Sequence, residues 1–168
     1  LFSAPNFAKK QKTIKPQRLK KGDTIGLITP GSYIDDEGLH EAVTNLEHLG
    51  FQVKLAKNIR AERGFIAGTD VQRLSDLHDM FRDDQINGIW CARGGYGCGR
   101  LLPHIDYKLI KKNPKVLVGF SDITALLQGI YKSTGLVGFH GPVGSSDFTD
   151  YTKNYLTKVL LEPQDRLK

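Results

Sequence analysis

The chain is short of the features that mark membranes, metals and nucleic acid. No apolar run approaches the roughly 20 residues that a membrane-spanning helix needs. There are only two cysteines in 168 residues, Cys91 and Cys98. Neither spacing nor a nearby histidine turns them into a metal site, so no metal is expected. Cys91 falls inside a predicted buried strand and reads as a packed thiol rather than a disulfide partner. Internal repeats and low-complexity segments are absent. The body also lacks an excess of charge of either sign. The net +6 comes entirely from residues 1–23, where seven basic side chains (Lys9, Lys10, Lys12, Lys15, Arg18, Lys20, Lys21) face one acid, Asp23. The remaining residues carry 17 basic and 17 acidic groups, net zero. A folded body without a basic face has no electrostatic footprint for a phosphate backbone, so nucleic acid is not an expected partner.

What is present is a soluble, globular composition, 39% hydrophobic and 25% charged, long enough for one domain with its own core. The organisation expected is a basic, disordered leader over 1–18, an α/β domain over 19–163, and the start of a linker over 164–168. The first eight residues, Leu1 to Ala8, are apolar and small and precede a Lys-rich stretch. They read either as a disordered extension or as the tail end of an export signal. A cytoplasmic location is expected, with export as the alternative.

From Thr24 onward strand and helix alternate. The pattern predicts a strand over Thr24–Thr29 ending in Pro30-Gly31. A helix over Asp36–Leu49 carries an apolar stripe of Leu39, Val43, Leu46 and Leu49, and Gly50 stops it. A strand over Phe51–Leu55 follows. Thr69-Asp70-Val71-Gln72 is a capping box opening a helix to about Arg82, with Val71, Leu74, Leu77, His78 and Phe81 inward. Strands over Ile86–Cys91 and around Val116 follow, with short helices near Arg100 and Asp106 between them. A helix over Asp122–Ser133, a strand over Leu136–Phe139 and a helix over Thr149–Glu162 complete the series. Repeated strand–helix units imply a doubly wound, mostly parallel sheet with helices on both faces and right-handed crossovers. Ligands bind such sheets at the carboxyl ends of the strands, and the turns after Cys91, Phe120 and Phe139 all lie there.

Two of those turns carry chemistry. In Lys115-Val116-Leu117-Val118-Gly119-Phe120-Ser121-Asp122-Ile123-Thr124 a buried strand stops at a glycine, Ser121 follows, and a helix begins at once. This is the layout of a nucleophile elbow, with the local pattern Gly-x-Ser-x-Thr instead of Gly-x-Ser-x-Gly. The helix N-terminus supplies N–H groups and positive potential for an oxyanion. The alternative is that Ser121 is a plain helix N-cap. In Arg93-Gly94-Gly95-Tyr96-Gly97-Cys98-Gly99-Arg100 the glycines leave backbone N–H groups open to a ligand. Arg93 and Arg100 flank that turn as candidate holders of a peptide carboxylate. The turn matches neither Gly-x-Gly-x-x-Gly nor a P-loop, which weighs against a nucleotide-binding module. A non-catalytic domain binding a nucleotide, sugar or peptide is the remaining alternative. Of the five histidines, His40, His48 and His78 fall in predicted helices and His104 in a connector. Only His140 reaches the carboxyl rim, as a pocket-shaping residue or, less simply, an internal base. Asp122, at the first position of its helix, reads as a carboxylate favoured by the dipole.

Together with Phe139-His140-Gly141-Pro142 and the opening Leu19-Lys20-Lys21-Gly22-Asp23-Thr24-Ile25-Gly26, these motifs resemble the L,D-carboxypeptidase family of serine peptidases. That family includes muramoyltetrapeptide carboxypeptidases and microcin C self-immunity peptidases. The resemblance runs from about Leu19 to about Pro163. It implies Ser121 as nucleophile and the backbone N–H groups of Gly95 and Asp122 as oxyanion donors. Gly94, Tyr96, Arg93 and His140 are the expected substrate-binding residues. It further implies a catalytic Glu and His from a following C-terminal domain, a muropeptide substrate losing its terminal D-alanine, and no cofactor. A homodimer is expected. A microcin-type peptidyl-adenylate peptidase is the alternative within the family.

Overall fold

The structure, a computed structural model, describes residues 12–162. The first eleven residues of the expected leader and the expected linker at 164–168 lie outside the described residues. Five parallel strands form one sheet in the order β2-β1-β3-β4-β5. They are β1 (Thr24–Ile28), β2 (Gln52–Leu55), β3 (Gly88–Cys91), β4 (Val116–Gly119) and β5 (Phe139–His140). The three central strands are buried almost throughout, as strands covered on both faces must be, and their sequences are continuous apolar runs for that reason. The edge strand β2 alternates poorly and is largely exposed.

The helices are α1 (Asp36–His48), α2 (Asp70–Arg82), α3 (Tyr107–Lys112), α4 (Ile123–Thr134) and α5 (Asp150–Leu156). The strand order reverses direction between β1 and β3. Right-handed crossovers therefore put α1 on one face and α2 and α4 on the other, where α3 packs between α2 and α4. On the α1 face, the Asn45 side chain donates to the carbonyls of Gly144 and Ser146 and ties the helix to the segment after β5. The capping box opening α2 is formed in full by Thr69 and Gln72. The core is anchored by Trp90, fully buried, whose indole N–H donates to Pro142 O at 2.8 Å. A buried indole must find such a partner to avoid a desolvation cost.

Several expectations need correction. Val71 is 75% exposed: the buried face of α2 runs through Arg73, Asp76, Leu77, Met80 and Phe81, rotated from the apolar stripe because two charged residues are part of it. The last strand is shorter than Leu136–Phe139. Leu136 instead makes an isolated parallel bridge with Ile14, after Gly135 ends α4 in the left-handed conformation. Ile14 donates to Gly135 O and accepts from Val137 N–H, and Leu19 is buried. Residues just before Leu19 thus already pair with the segment that follows α4. The last helix is α5 followed by a π-helical turn over Thr157–Leu161.

Candidate active site

Strand register brings the site together. Ile28 pairs with Cys91, Trp90 with Val118, and Gly119 with His140. The loops that leave β1, β3, β4 and β5 therefore start at one level on one rim. The first two, Pro30–Ser32 and Arg93–Gly97, flank the point where strand order reverses, the place where open α/β sheets bind ligands.

Ser121 stands in the turn between β4 and α4 with φ 61, the one non-glycine residue of positive φ among the described residues. That conformation costs an L-residue roughly 1–2 kcal/mol, so the surrounding structure must hold it. Two contacts explain how. Gly119 packs so tightly that an added Cβ would lie 2.7 Å from Ile123 Cγ2. Gly94 lies against the serine, since a Cβ there would sit 3.2 Å from Ser121 Cβ and 3.6 Å from its Oγ. Ser121 is exposed, and its hydroxyl makes no hydrogen bond to any described residue. It does not cap α4: the cap position belongs to Asp122, and no side-chain capping bond is made. The N-cap reading of Ser121 is therefore set aside.

Asp122 behaves differently from the sequence expectation. Its carboxylate turns away from its own helix and accepts the backbone N–H of Cys98 at 2.8 Å. It thus ties the elbow to the start of a short 3-10 turn over Cys98–Arg100. The N–H groups of Asp122 and Gly95 meet no acceptor among the described residues, which leaves two unused donors near an exposed hydroxyl. Gly95 has φ 100, and a Cβ on it would fall 2.0 Å from Ser32 Oγ. Both facts require glycine there.

Tyr96 is exposed beside this turn. Arg93 donates to Tyr33 O at 3.2 Å and lies 5.9 Å from the centre of the Tyr33 ring, which orients its guanidinium without neutralising it. Arg100 is committed elsewhere, since it forms an ion pair with Asp70. Asp70 also pairs with Arg73, whose other arm donates to Pro30 O at 2.6 Å. Arg73 is 2% exposed, and its Nε has no partner among the described residues. His140 is exposed at the end of β5 with its ring edge-on to Phe120 at 6.3 Å. No hydrogen bond joins it to Ser121. His78 is structural: Nε2 accepts the Asp106 N–H at 3.0 Å, and burial lowers its pKa. Both cysteines are buried. Burial pushes both thiols up, and for Cys98 the neighbouring Asp122 carboxylate adds to the effect.

The sequence reading missed Gly31, Ser32 and the Asp70–Arg73–Arg100 chain. A Pro-Gly-Ser step leaving the first strand at a predicted switch point was the available signal for the first two.

A parallel sheet of order 2-1-3-4-5 is a doubly wound, flavodoxin-like α/β domain, and it carries an exposed, strained serine between strand and helix, beside unpartnered N–H groups, at its carboxyl rim. The family is given by comparison: residues 25–141 match the LD-carboxypeptidase N-terminal domain of the S66 peptidases, and the chain belongs to that family. It is 51% identical over 145 residues to a Bacillus subtilis (strain 168) protein named "Probable murein peptide carboxypeptidase", covering 86% of this chain and 46% of that protein. It is 42% identical over 122 residues to the murein tetrapeptide carboxypeptidase of Pseudomonas aeruginosa, covering 72% of this chain and 39% of the relative. Among solved structures, an MccF-like protein from Bacillus anthracis superposes with a TM-score of 0.82 at 38% identity, over 89% of this chain and 47% of the other. The chain thus spans about half the length of the relatives it matches.

Proposed function

We propose that this chain is the nucleophile-bearing half of a serine L,D-carboxypeptidase that releases terminal D-alanine from muropeptides. The observation that carries the reading is Ser121 at φ 61, exposed just before α4, its hydroxyl without a hydrogen bond among the described residues. Strain of this kind persists only where the surrounding structure over-determines it, and it clusters at functional sites.

In the proposed reaction Ser121 Oγ attacks the carbonyl carbon of the L,D amide, and the hydroxyl proton passes to a histidine base. The oxyanion is received by the N–H groups of Gly95 and Asp122. Each such donor is typically worth about 2.7–4 kcal/mol in the transition state. The C–N bond then breaks, and D-alanine leaves with the proton returned by the base. Water releases the acyl group from Ser121 by the same steps in reverse. The base and its orienting glutamate are assigned to a C-terminal domain of the same protein, as the family resemblance implies; no described residue hydrogen-bonds the Ser121 hydroxyl. Arg93 meets the substrate's terminal carboxylate, and Gly94, Tyr96 and His140 line its path. No cofactor enters this scheme. The assembly is a homodimer acting in the cytoplasm.

The family resemblance carries a second reading, a microcin-type peptidase acting on peptidyl-adenylates, and the likeness to an MccF-like structure supports it. A fluorophosphonate probe and a tetrapeptide ending in D-alanine test the main proposal on the full-length protein. Expected are covalent labelling at Ser121 and D-alanine release, both lost in Ser121→Ala. An unlabelled Ser121, or D-alanine release that survives Ser121→Ala, overturns it. Turnover of a peptidyl-adenylate in place of the tetrapeptide selects the second reading.

A further inference from the structure

The Gly31–Ser32 step of the loop after β1 grips the glycine turn from behind. Ser32 is fully buried. Its backbone N–H donates to Gly94 O at 2.9 Å, and its Oγ accepts the N–H of Tyr96 at 3.2 Å. These two bonds bracket Gly95. The carbonyl of Gly94 and the N–H of Gly95 belong to one peptide unit, and none of the described peptide bonds is cis. In a trans peptide the C=O and N–H point in opposite directions. Holding the carbonyl on Ser32 therefore aims the Gly95 N–H away from the β1 loop, where it meets no acceptor among the described residues. Gly31 completes the socket: a Cβ on it would lie 2.4 Å from Gly94 O, so only a glycine lets the carbonyl sit that deep.

We infer that Ser32 is a positioning residue, which with Gly31 fixes the Gly94–Gly95 peptide so that its N–H serves as an oxyanion donor. The inference rests on the nucleophile role proposed for Ser121. A flipped 94–95 peptide would present a carbonyl where the oxyanion forms, replacing attraction with repulsion. The flip is opposed by the bond from the Ser32 N–H to Gly94 O, and the next peptide is held by the bond from the Tyr96 N–H to Ser32 Oγ. Gly95, with φ 100, is a residue type that could otherwise tolerate it.

The test uses Ser32→Ala and Gly31→Ala in the full-length enzyme. Ser32→Ala removes the acceptor for Tyr96 but keeps the N–H that holds Gly94. Gly31→Ala pushes the carbonyl out of its socket. Expected for Ser32→Ala is a fall in kcat of about tenfold, and for Gly31→Ala of about a hundredfold, against roughly 10²–10³ for outright loss of an oxyanion donor. KM should stay within about twofold, since ground-state binding does not use the donor. Phosphonylation of Ser121 by the fluorophosphonate should slow in the same order, because that reaction also builds charge on an oxygen in the hole. The amide of Tyr96 should exchange with solvent faster in Ser32→Ala. Should Gly31→Ala fail to fold, Ser32→Ala decides alone. Wild-type labelling and turnover matched by Ser32→Ala within twofold would overturn the inference while leaving the nucleophile intact, as would a rise in KM equal to the fall in kcat. A wild-type enzyme unlabelled at Ser121 overturns both.

Discussion

The carboxylate of Asp122 accepts the backbone N–H of Cys98 at 2.8 Å, joining the residue after the nucleophile to the far end of the glycine turn. The two proposed oxyanion donors, on Gly95 and Asp122, therefore sit on segments that are tied to each other. A helix-dipole role for Asp122 would leave its carboxylate near its own first turn. Its actual target is a separate loop.

Removing that carboxylate leaves the Cys98 N–H buried without an acceptor. Asp122→Ala should destabilise the domain by about 1.5–3 kcal/mol, the usual range for a hydrogen bond to a charged group. Asp122→Asn keeps an acceptor oxygen and should lose less than half as much. Urea unfolding monitored at Trp90 measures both. Equal stability of the alanine and wild-type proteins would show that the tie is incidental.

Gly119 faces a different constraint. Its missing Cβ makes room for Ile123, and an alanine there would press to 2.7 Å from Ile123 Cγ2. Overpacking of this kind costs roughly 1–3 kcal/mol, more for a branched side chain. Gly119→Ala should lower stability within that range and Gly119→Val should exceed it. A Gly119→Val protein that melts with the wild type would mean the elbow is looser than its geometry implies.

The elbow, the capping box at Thr69 and the parallel sheet were legible because each is written in neighbouring residues. Strand, glycine, serine and helix follow one another within ten positions, and Thr69 meets Gln72 three residues on. Ser32 and Arg73 were not legible. Ser32 acts on Gly94 and Tyr96 some 60 residues away, and only the strand order brings those loops together. Arg73 reads as a surface charge by hydropathy, yet it is 2% exposed, because Asp70 and Pro30 O take its two terminal nitrogens across the top of the sheet. The same burial rotates α2 and turns Val71 outward.

Acid should loosen the support behind the glycine turn. The hydrogen bond from Arg100 holds the Asp70 carboxyl below its ordinary range, with Arg73 adding to the effect. A lowered native pKa gives stability that is present above the unfolded value, about 3.9 for aspartate, and lost as pH falls through the native value. Wild-type stability should therefore drop more steeply than that of Asp70→Asn below about pH 4. Parallel curves for the two proteins in thermal melts across that range would remove Asp70 from the account.

Both thiols should be silent in the native protein. Cys91 and Cys98 are fully buried, and burial raises both thiol pKa values, while the thiolate is the reactive form. A disulfide-exchange reagent such as DTNB should titrate no thiols in buffer and two per chain in denaturant. Rapid reaction of either thiol in buffer would reveal local opening of the glycine turn or of β3.

Ser121 itself separates strain from capping. Its hydroxyl bonds to nothing among the described residues, and alanine would occupy the same left-handed conformation at the same cost. Ser121→Ala should therefore keep stability within about 0.5 kcal/mol. Ser121→Gly should relieve the strain of roughly 1–2 kcal/mol, less the roughly 0.5–1 kcal/mol that a glycine loses in backbone entropy on folding. It should match or slightly exceed the wild type. Both variants of the full-length enzyme should lose turnover, since neither offers a nucleophile. A helix cap predicts the reverse pattern: a loss of roughly 0.5–2 kcal/mol for alanine, smaller for glycine, with activity retained. Melting temperature and D-alanine release measured on the same two proteins decide between them. An active Ser121→Ala enzyme would sink the nucleophile assignment whatever its stability.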